Sequence, residues 1–204
     1  MKILAVGWNY AEHNQELGQT LPTEPIIFSK PDSALLLGNK PFFMPNFSNE
    51  IHYETELVVR INRLGKNIAP RFASRYYSEV ALGIDFTARD LQRSLKVAGQ
   101  PWEISKAFDN SAAVSEFIPL SSLSVSIQEL SFYLQLNDKT VQQGNTKDMI
   151  FSVDAIIAYV SQFFTLKIGD LIFTGTPAGV GQIAKNDHLQ GYLQGNRLLN
   201  FYIK

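Results

Sequence analysis

Two glutamates, Glu54 and Glu56, flank Thr55 in a segment where polar and apolar residues alternate. Residues two apart on a β-strand project from the same face, so these carboxylates are expected to lie a few ångströms apart. They repel each other unless a cation lies between them, and hard divalent cations such as Mg²⁺ or Mn²⁺ take oxygen ligands. The alternative is a solvated strand edge, which is the more common arrangement for such a pair taken alone.

Asp85 is a third candidate ligand. It ends an apolar segment and lies between Ile84 and Phe86, where an unpaired buried carboxylate would be costly. Its side chain therefore either accepts local hydrogen bonds, for example at the start of the helix predicted to follow, or binds a cation. Together with Glu54 and Glu56 it would complete a set of three carboxylates around one divalent ion, with positions left for water and substrate.

Lys106 and a glycine-rich loop could serve the same centre. Lys106 lies in an aromatic and apolar stretch, so it is either a surface lysine whose stem covers that stretch or a cation that offsets the carboxylates. The loop from Gly175 to Gly181 lacks the lysine of a phosphate-binding loop and the spacing of a dinucleotide-binding fingerprint. It does supply backbone N–H groups and the Thr176 hydroxyl, which suit a carboxylate ligand.

His13 and Glu16 form a candidate acid–base pair. They are three residues apart in a predicted short helix and therefore share one of its faces. A neighbouring carboxylate raises the basicity of an imidazole, as acid–base catalysis requires. The alternative is a structural histidine. No such partner is predicted for His52 or His188.

The elements that must position these residues are predicted to be mainly strands. Apolar periodicity and turn residues predict strands over residues 2–6, 51–61, 81–86, 171–173 and 197–203, and hairpins over 34–43 and 132–143. Helices are predicted over residues 10–17, 71–80, 88–95 and 153–164, the last capped by Ser152. We therefore predict an α+β, mostly β fold in which residues 1–204 form a single catalytic domain.

The overall composition excludes several classes of function. The chain of 204 residues has no cysteine, which rules out a disulfide scaffold, a thiolate nucleophile and an iron–sulfur cluster. Its 18 basic and 19 acidic residues give a net charge of −1, so neither nucleic acid nor an anionic membrane is a predicted partner. No segment resembles a secretory signal or has the roughly 20 apolar residues of a membrane span, and we expect a cytoplasmic protein.

Seven short motifs follow one another between residues 7 and 181. They are Gly7-Trp8-Asn9-Tyr10 with His13 and Glu16, Phe28-Ser29-Lys30-Pro31 with Ser33, His52 to Leu57, Asp85 to Gln92, Lys106 to Asp109, Gly144 to Phe151, and Gly169 to Gly181. In this order they resemble the fumarylacetoacetate hydrolase family over nearly the whole chain. Each motif is weakly specific alone, whereas the ordered set is highly specific.

The resemblance implies the contents of the metal centre. Glu54, Glu56 and Asp85 match the family's metal-binding carboxylates, which usually hold Mg²⁺, with Mn²⁺ as the other candidate. It also implies a mixed β-sandwich roll of the family's C-terminal domain type, often assembled as a homodimer.

The resemblance implies roles for six further residues. Lys106 matches a lysine that approaches the substrate, and Thr176 matches a threonine that contacts the substrate carboxylate. Arg89 and Gln92 fall on positions that line the pocket. His13 and Glu16 match a dyad that activates water and lies on a lid, which places a lid helix within residues 1–20.

The implied activity is hydrolysis of a C–C bond in an acylpyruvate or fumarylpyruvate-like 2-oxo acid, through an enolate that a divalent metal stabilises. The dyad favours this activity. Two alternatives remain open. One is decarboxylation or keto–enol isomerisation of a small dicarboxylate such as oxaloacetate or 2-hydroxyhepta-2,4-diene-1,7-dioate. The other is a catalytically silent protein that binds a metal or ligand.

The chain departs from the family pattern at two places. Trp8 replaces a residue that is often arginine or another polar type, which removes one expected substrate contact. Residues 110–115 replace a turn that is commonly rich in glycine and proline, so we expect that wall of the pocket to differ.

Overall fold

Strands dominate this computed structural model, which describes residues 1–16, 18 and 20–204. Within them, α1–α4 are Ala11–Glu16, Arg89–Val97, Glu103–Lys106 and Val153–Phe163. Strands β1–β15 are Ile3–Gly7, Ile26–Lys30, Leu35–Leu37, Ile51–Tyr53, Thr55–Ile61, Tyr77–Asp85, Thr87–Ala88, Ala112–Val114, Ile118–Pro119, Ser131–Leu136, Lys139–Asn145, Leu171–Phe173, Gly181–Gln182, His188–Leu193 and Asn196–Tyr202. No helix in the described part of the chain is long and apolar enough to cross a membrane.

The largest sheet has eight strands in the order β2-β1-β12-β5-β6-β8-β3, with β9 on β6. The sheet is mixed, because β1 pairs in parallel with β12 and β3 in parallel with β8, while its other pairs are antiparallel. Its central strands β5 and β6 are buried over most of their length.

A second sheet of four antiparallel strands, β11-β10-β14-β15, packs against the first. Leu134 and Leu189 from this sheet share one hydrophobic core with Leu57 and Leu82 from the first. The two sheets approach closely at Gly191, where a Cβ atom would lie 2.7 Å from Cδ2 of Leu82. This packing of curled mixed sheets, with short helices beside them, confirms the predicted α+β, mostly β fold.

A third, small sheet of β13-β4-β7 divides the predicted strand 51–61 in two. β4 pairs with β7, whereas β5 pairs with β6, and the division falls at Glu54. The prediction of one continuous strand was therefore wrong, because the two halves have hydrogen-bonding partners in different sheets. The division places Glu54 at a junction between sheets.

The predicted helix over residues 71–80 was also wrong. Pro70–Tyr76 forms a 3₁₀ segment, and β6 begins directly after it at Tyr77. Val80 and Leu82 alternate with residues of the opposite face along β6, and pairing with β5 gives the backbone its hydrogen bonds. The predicted strand 81–86 is the second half of this longer strand.

The hairpin predicted over residues 34–43 does not form. β3 pairs in parallel with β8, and Phe42 bridges to Ile203 near the other end of the chain. The turn at Gly38 and Asn39 exists, with φ angles of 73° and 53°, but it sends the chain to another strand. A local turn signal cannot show which distant strand provides the partner.

Several other elements confirm the predictions. The hairpin of β10 and β11 turns through Asn137 and Asp138, both with positive φ. Oγ of Ser152 accepts a hydrogen bond from the backbone N–H of Ala155 and so caps α4, as predicted. α1 starts at Ala11, and the predicted end of that helix at Leu17 lies outside the described residues.

Candidate metal centre and active site

Three buried carboxylates converge at one point. One oxygen each from Glu54, Glu56 and Asp85 lies within 4.8 Å of the other two. Asp85 is fully buried, and the two glutamates are nearly so. Carboxylate oxygens in this number and at this spacing are the ligands that hard divalent cations prefer.

The pairing of β5 and β6 explains why these three residues meet. Glu54 and Glu56 are two apart along the chain and share a face, as predicted. In the antiparallel pair Glu56 lies opposite Gly83, and the backbone N–H of Asp85 donates to the carbonyl of Glu54 over 2.8 Å. The third carboxylate is thus delivered by the neighbouring strand.

Lys106, at the end of α3, offsets the negative charge of two of the carboxylates, those of Glu54 and Asp85. Its Nζ donates to Oε2 of Glu54 over 2.8 Å and to Oδ2 of Asp85 over 2.7 Å, and also to the Thr87 hydroxyl. Burial alone would lower the pKa of Lys106, but the charges of Asp85 and Glu54 outweigh it and raise that pKa. The structure therefore supports a buried ammonium over a surface lysine.

Lys30 is a site residue that we did not single out from the sequence. Its Nζ lies 2.6 Å from Oδ1 of Asp85 and donates to the hydroxyl of Ser111 over 3.0 Å and to the carbonyl of Lys106. Complete burial lowers the pKa of Lys30, and the charge of Lys106 adds to this, while Asp85 opposes it. One feature of the sequence could have identified Lys30 as a site residue: it lies in the family motif Phe28 to Pro31, at the end of a mainly apolar segment.

Arg89, at the start of α2, is the third cation of the centre. Its Nη2 donates to Oε1 of Glu54, and its Nη1 donates to the side-chain oxygen of Gln92 over 2.7 Å. Although burial alone would raise the pKa of Glu54, the charges of Lys106 and Arg89 lower it below its usual range. Arg89 and Gln92 thus lie together at the centre, where the resemblance places them.

His52 has a carboxylate partner that the sequence analysis missed. Nε2 of His52 lies 2.9 Å from Oε1 of Glu50, and Nε of Arg89 donates to Nδ1 of His52 over 3.4 Å. The ring therefore accepts at Nδ1 and donates at Nε2. Burial lowers the pKa of His52, and the charge of Arg89 lowers it further. His52 thus holds Arg89 against the centre. The sequence could not predict this role, because it depends on how the side chains of Glu50, His52 and Arg89 are oriented in the fold.

Among the residues that the structure describes, Glu56 is the triad member without a lysine or arginine partner. Its Oε2 accepts a hydrogen bond of 2.6 Å from the backbone N–H of Gly175. Burial raises the pKa of Glu56 well above its usual range, and the nearby carboxylates of Asp85 and Glu54 raise it further. A divalent cation would relieve this concentration of negative charge, so the donor set fits such an ion.

We expected the backbone N–H groups of the glycine loop to bind a carboxylate ligand, but in the structure two of them bind carboxylates of the protein itself. Those of Gly175 and Gly179 donate to the protein carboxylates of Glu56 and Glu16, over distances of 2.6 and 3.2 Å. The Thr176 hydroxyl donates to the carbonyl of Thr55 and accepts from the side chain of Gln142, both over 2.9 Å. The loop therefore fixes the site's own acids.

His13 and Glu16 come together as the spacing predicts. Nδ1 of His13 lies 3.3 Å from Oε2 of Glu16, and the His13 side chain is buried while that of Glu16 is partly exposed. Because Glu16 also accepts from Gly179, the dyad is attached to the glycine loop. His13 is thus held at its Nδ1 side by a carboxylate that is itself held by backbone.

The predicted site residues share one small cavity of about 30 Å³. Eight of the nine border it: His13, Glu54, Glu56, Asp85, Arg89, Gln92, Lys106 and Thr176. Glu16 lies behind His13 and does not line it. A wider groove of about 660 Å³ shares Phe28, Trp102 and Lys106 with this cavity. The inner cavity is much smaller than this outer groove.

The fold and this acidic cavity define a known class of enzyme domain. Residues 2–201 match the family model for the fumarylacetoacetate (FAA) hydrolase C-terminal domain. The chain belongs to the fumarylacetoacetate hydrolase family and is an enzyme of that family, as the seven motifs predict.

Three similar proteins of that family carry three different named activities. The chain is 40% identical over 197 residues to oxaloacetate tautomerase YcgM of Escherichia coli (strain K12), which covers 97% of this chain and 90% of the relative. It is 42% identical over 183 residues to the mitochondrial oxaloacetate decarboxylase of Dictyostelium discoideum, covering 89% and 84% of the two chains.

A crystal structure of fumarylpyruvate hydrolase from Pseudomonas aeruginosa, in complex with Mn²⁺ and pyruvate, superimposes with a TM-score of 0.94 at 34% identity. The match covers all of this chain and 89% of the other.

Proposed function

We propose that this protein is a divalent-metal-dependent tautomerase that interconverts the keto and enol forms of oxaloacetate. The observation that carries the proposal is the buried triad of Glu54, Glu56 and Asp85 in contact with buried cations, in a chain 40% identical to an oxaloacetate tautomerase over 97% of its length. The comparisons support this alternative better than our first expectation, a C–C hydrolase. Membership of an enzyme family also leaves the silent binding protein without support.

The charges of the centre suit a dicarboxylate. The three carboxylates lie beside four cationic side chains, those of Lys30, Lys106, Arg89 and Lys96. A divalent ion held by Glu54, Glu56 and Asp85 would leave an excess of three positive charges. Oxaloacetate at neutral pH carries two negative charges, which offset most of that excess.

The metal supplies one part of the chemistry. When bound, a divalent ion polarises the 2-oxo group and stabilises the negative charge that develops on its oxygen as the neighbouring carbon loses a proton. We propose Mg²⁺ as the resident ion, with Mn²⁺ as the alternative that the Pseudomonas relative supports.

The chain's own residues supply the rest. Lys106 and Arg89 hold positive charge beside the position where the oxygen becomes negative. His13 is the proposed proton carrier, because Glu16 occupies its Nδ1 and leaves Nε2 to move a proton from the carbon beside the keto group to the enolate oxygen, and back in the reverse direction. Thr176 and Gln92 border the cavity and are proposed to orient the substrate.

The test is the rate at which the enol form of oxaloacetate disappears. Enol oxaloacetate absorbs in the ultraviolet, and its decay is measured with and without enzyme and Mg²⁺. We expect the enzyme with Mg²⁺ to accelerate the decay well above the metal-only rate, and EDTA to abolish the acceleration. An absence of acceleration with both Mg²⁺ and Mn²⁺ would refute the proposal.

Hydrolysis of acylpyruvates is a second candidate because the His13–Glu16 dyad could activate a water molecule. The similarity to the Pseudomonas hydrolase also supports it. Product analysis separates the candidates. Tautomerisation consumes no oxaloacetate overall, decarboxylation releases CO₂ and pyruvate, and hydrolysis of fumarylpyruvate releases fumarate and pyruvate.

We also propose that residues 1–204 act as a single catalytic domain in a cytoplasmic homodimer, with the lid within residues 1–20. The small cavity bordered by His13 supports a movable wall there. The exposed side chains of Phe47 and Ile104 line an apolar groove of about 480 Å³, which supports an interface. Light scattering tests the dimer directly, because a monomeric mass at micromolar concentration contradicts it.

A further inference from the structure

The ammonium group of Lys96 lies over two tryptophan rings at the edge of the cavity. Its Nζ is 5.0 Å from the centroid of the Trp8 ring and 5.2 Å from that of the Trp102 ring. The two ring centroids are 6.0 Å apart. Both distances to Nζ are within the range at which an aromatic face attracts a cation. All three residues border the cavity that contains the acidic triad.

Lys96 has no acidic partner within the described part of the chain, where no carboxylate lies within 4.0 Å of its Nζ. Its charged neighbours are mostly cations. Partial burial lowers the pKa of Lys96, and the charges of Arg89 and Lys106 lower it further. A cation placed beside other cations without an anion of its own is a position that an anionic ligand would stabilise.

The helix α2 places Lys96 on the same helix face as two residues of the site, Arg89 and Gln92. Arg89, Gln92 and Lys96 are three and four residues apart, so they lie along one face of the helix. Arg89 touches Glu54 at the inner end of this row, and Lys96 lies at the outer end. A lysine in the last turn of a helix commonly serves the helix dipole, but this ammonium lies on the indole faces.

The position of Trp8 is itself held by the fold. Trp8 has a φ of 59°, a left-handed conformation that is rare for a bulky residue. Its carbonyl accepts a hydrogen bond of 3.1 Å from the side chain of Asn14 in α1. This is one of the two places where the chain departs from the family pattern, and here the departing residue packs against the free cation.

We propose that Lys96, positioned by Trp8 and Trp102, binds the second carboxylate of a 2-oxo dicarboxylate and makes the site selective for dicarboxylates. The inference rests on the proposed function, since it concerns the substrate of the same site. Arg89 and the triad hold the 2-oxo acid end, and Lys96 meets the carboxylate at the far end. The two tryptophans restrict Lys96 to one position, which lowers the entropy lost on binding.

Two ligands that cannot enolise test the proposal by binding alone, and proton NMR of each titrated sample confirms that the dicarboxylate has not lost CO₂. 2-Oxo-3,3-dimethylsuccinate and 3,3-dimethyl-2-oxobutanoate differ only in a carboxylate replaced by a methyl group, and neither has a proton on the carbon beside the keto group. Their affinities are measured by calorimetry in the presence of Mg²⁺. We expect wild type to prefer the dicarboxylate, and Lys96→Met to reduce that preference by about tenfold. Lys96→Arg retains most of it.

Lys139→Met is the matched control, because Lys139 is an exposed lysine of the β10–β11 hairpin, and it keeps the full preference. A Lys96→Met protein that unfolds like wild type and still prefers the dicarboxylate overturns the proposal, as does a wild type that shows no preference or binds neither ligand. Failure of the proposed function looks different. In that case the preference depends on Lys96, but enol oxaloacetate is not converted.

Discussion

Nζ of Lys30 lies 2.6 Å from Oδ1 of Asp85, while Lys106 contacts the other oxygen of the same carboxylate. Asp85 is therefore held between two buried ammonium groups. Both lysines come from segments far from Asp85 in the chain, β2 and α3. Their positive charges offset the cost of burying that carboxylate.

Removal of Lys30 tests this arrangement. Lys30→Met leaves Asp85 with one cation fewer in a fully buried position, and we expect the free energy of unfolding to fall by about 3 kcal/mol. Urea unfolding in EDTA measures the change without a contribution from metal binding. The double variant Lys30→Met with Asp85→Asn is the control and recovers part of the loss. A single variant within about 0.5 kcal/mol of wild type contradicts the arrangement.

Glu56 allows a test of the metal centre that spares the ion pairs. Glu56→Gln removes a carboxylate that has no lysine partner, so no ammonium loses its counterion. We expect Mn²⁺ affinity, followed by titration calorimetry, to fall at least about tenfold with an unchanged fold. Glu79→Gln is the control, because it removes a carboxylate of the same length that lies on β6 and pairs with Arg60 outside the triad, and the Mn²⁺ affinity of this variant stays close to that of wild type. Equal affinities in the two variants would contradict the assignment.

His13 is expected to matter for turnover and not for metal binding. His13→Gln removes the proton carrier, and kcat for enol oxaloacetate falls on the order of a hundredfold or more. Glu16→Gln keeps the ring and loses only the partner at Nδ1, so its effect on kcat is smaller. Stopped-flow absorbance measures both variants, and calorimetry with Mn²⁺ confirms that the metal still binds. Unchanged kcat in His13→Gln would remove His13 from the mechanism.

The resemblance to the family joined Glu54, Glu56 and Asp85 into a triad, whereas the residues alone left a solvated strand edge and a capping aspartate as alternatives. Glu54 and Glu56 are two apart, Asp85 ends an apolar run, and motif order identified the family. The sequence analysis missed Lys30 and the His52–Glu50 pair because their roles depend on which distant strands and side chains meet. The same limit explains the wrong hairpin over residues 34–43 and the strand that divides at Glu54. Capping and turn signals at α4 and the β10–β11 hairpin succeeded because they act within a few residues.

Asp170 gives a pH dependence of stability away from the metal centre. Burial alone would raise its pKa, but hydrogen bonds from Nζ and N–H of Lys2 and from N–H of Lys167 outweigh it and lower the pKa. A carboxyl whose pKa is lower in the folded state adds stability above the unfolded-state pKa of about 4 and loses it as the pH falls through the folded pKa.

Asp170→Asn removes this contribution. The free energy of unfolding of wild type should exceed that of the variant at pH 7, and the difference should shrink as the pH falls below about 4. Urea titrations of both proteins at a series of pH values provide the measurement. A difference that stays constant down to the lowest pH at which both proteins fold would mean that the ionised form of Asp170 contributes nothing.

Gly175 is required by both its conformation and its surroundings. It has a φ of 98°, and a Cβ atom there would lie 2.6 Å from Cβ of Asn9 and 3.2 Å from the carbonyl oxygen of Val6. Gly195 has a similar φ of 77° with nothing within 4 Å of a Cβ atom. Gly195→Ala should therefore cost about 1–2 kcal/mol, the penalty for the left-handed conformation alone.

Gly175→Ala has the same conformational penalty and must also displace the backbone at Val6 and Asn9. We therefore expect its loss of unfolding free energy to be at least twice that of Gly195→Ala. The displacement also moves the N–H that donates to Glu56, and we therefore expect a loss of Mn²⁺ affinity in Gly175→Ala and none in Gly195→Ala. Urea unfolding and calorimetry on the two variants provide both readouts. Equal stability losses would show that the contact with Asn9 relaxes without cost, and an unchanged Mn²⁺ affinity would show that Glu56 does not depend on this loop for its position.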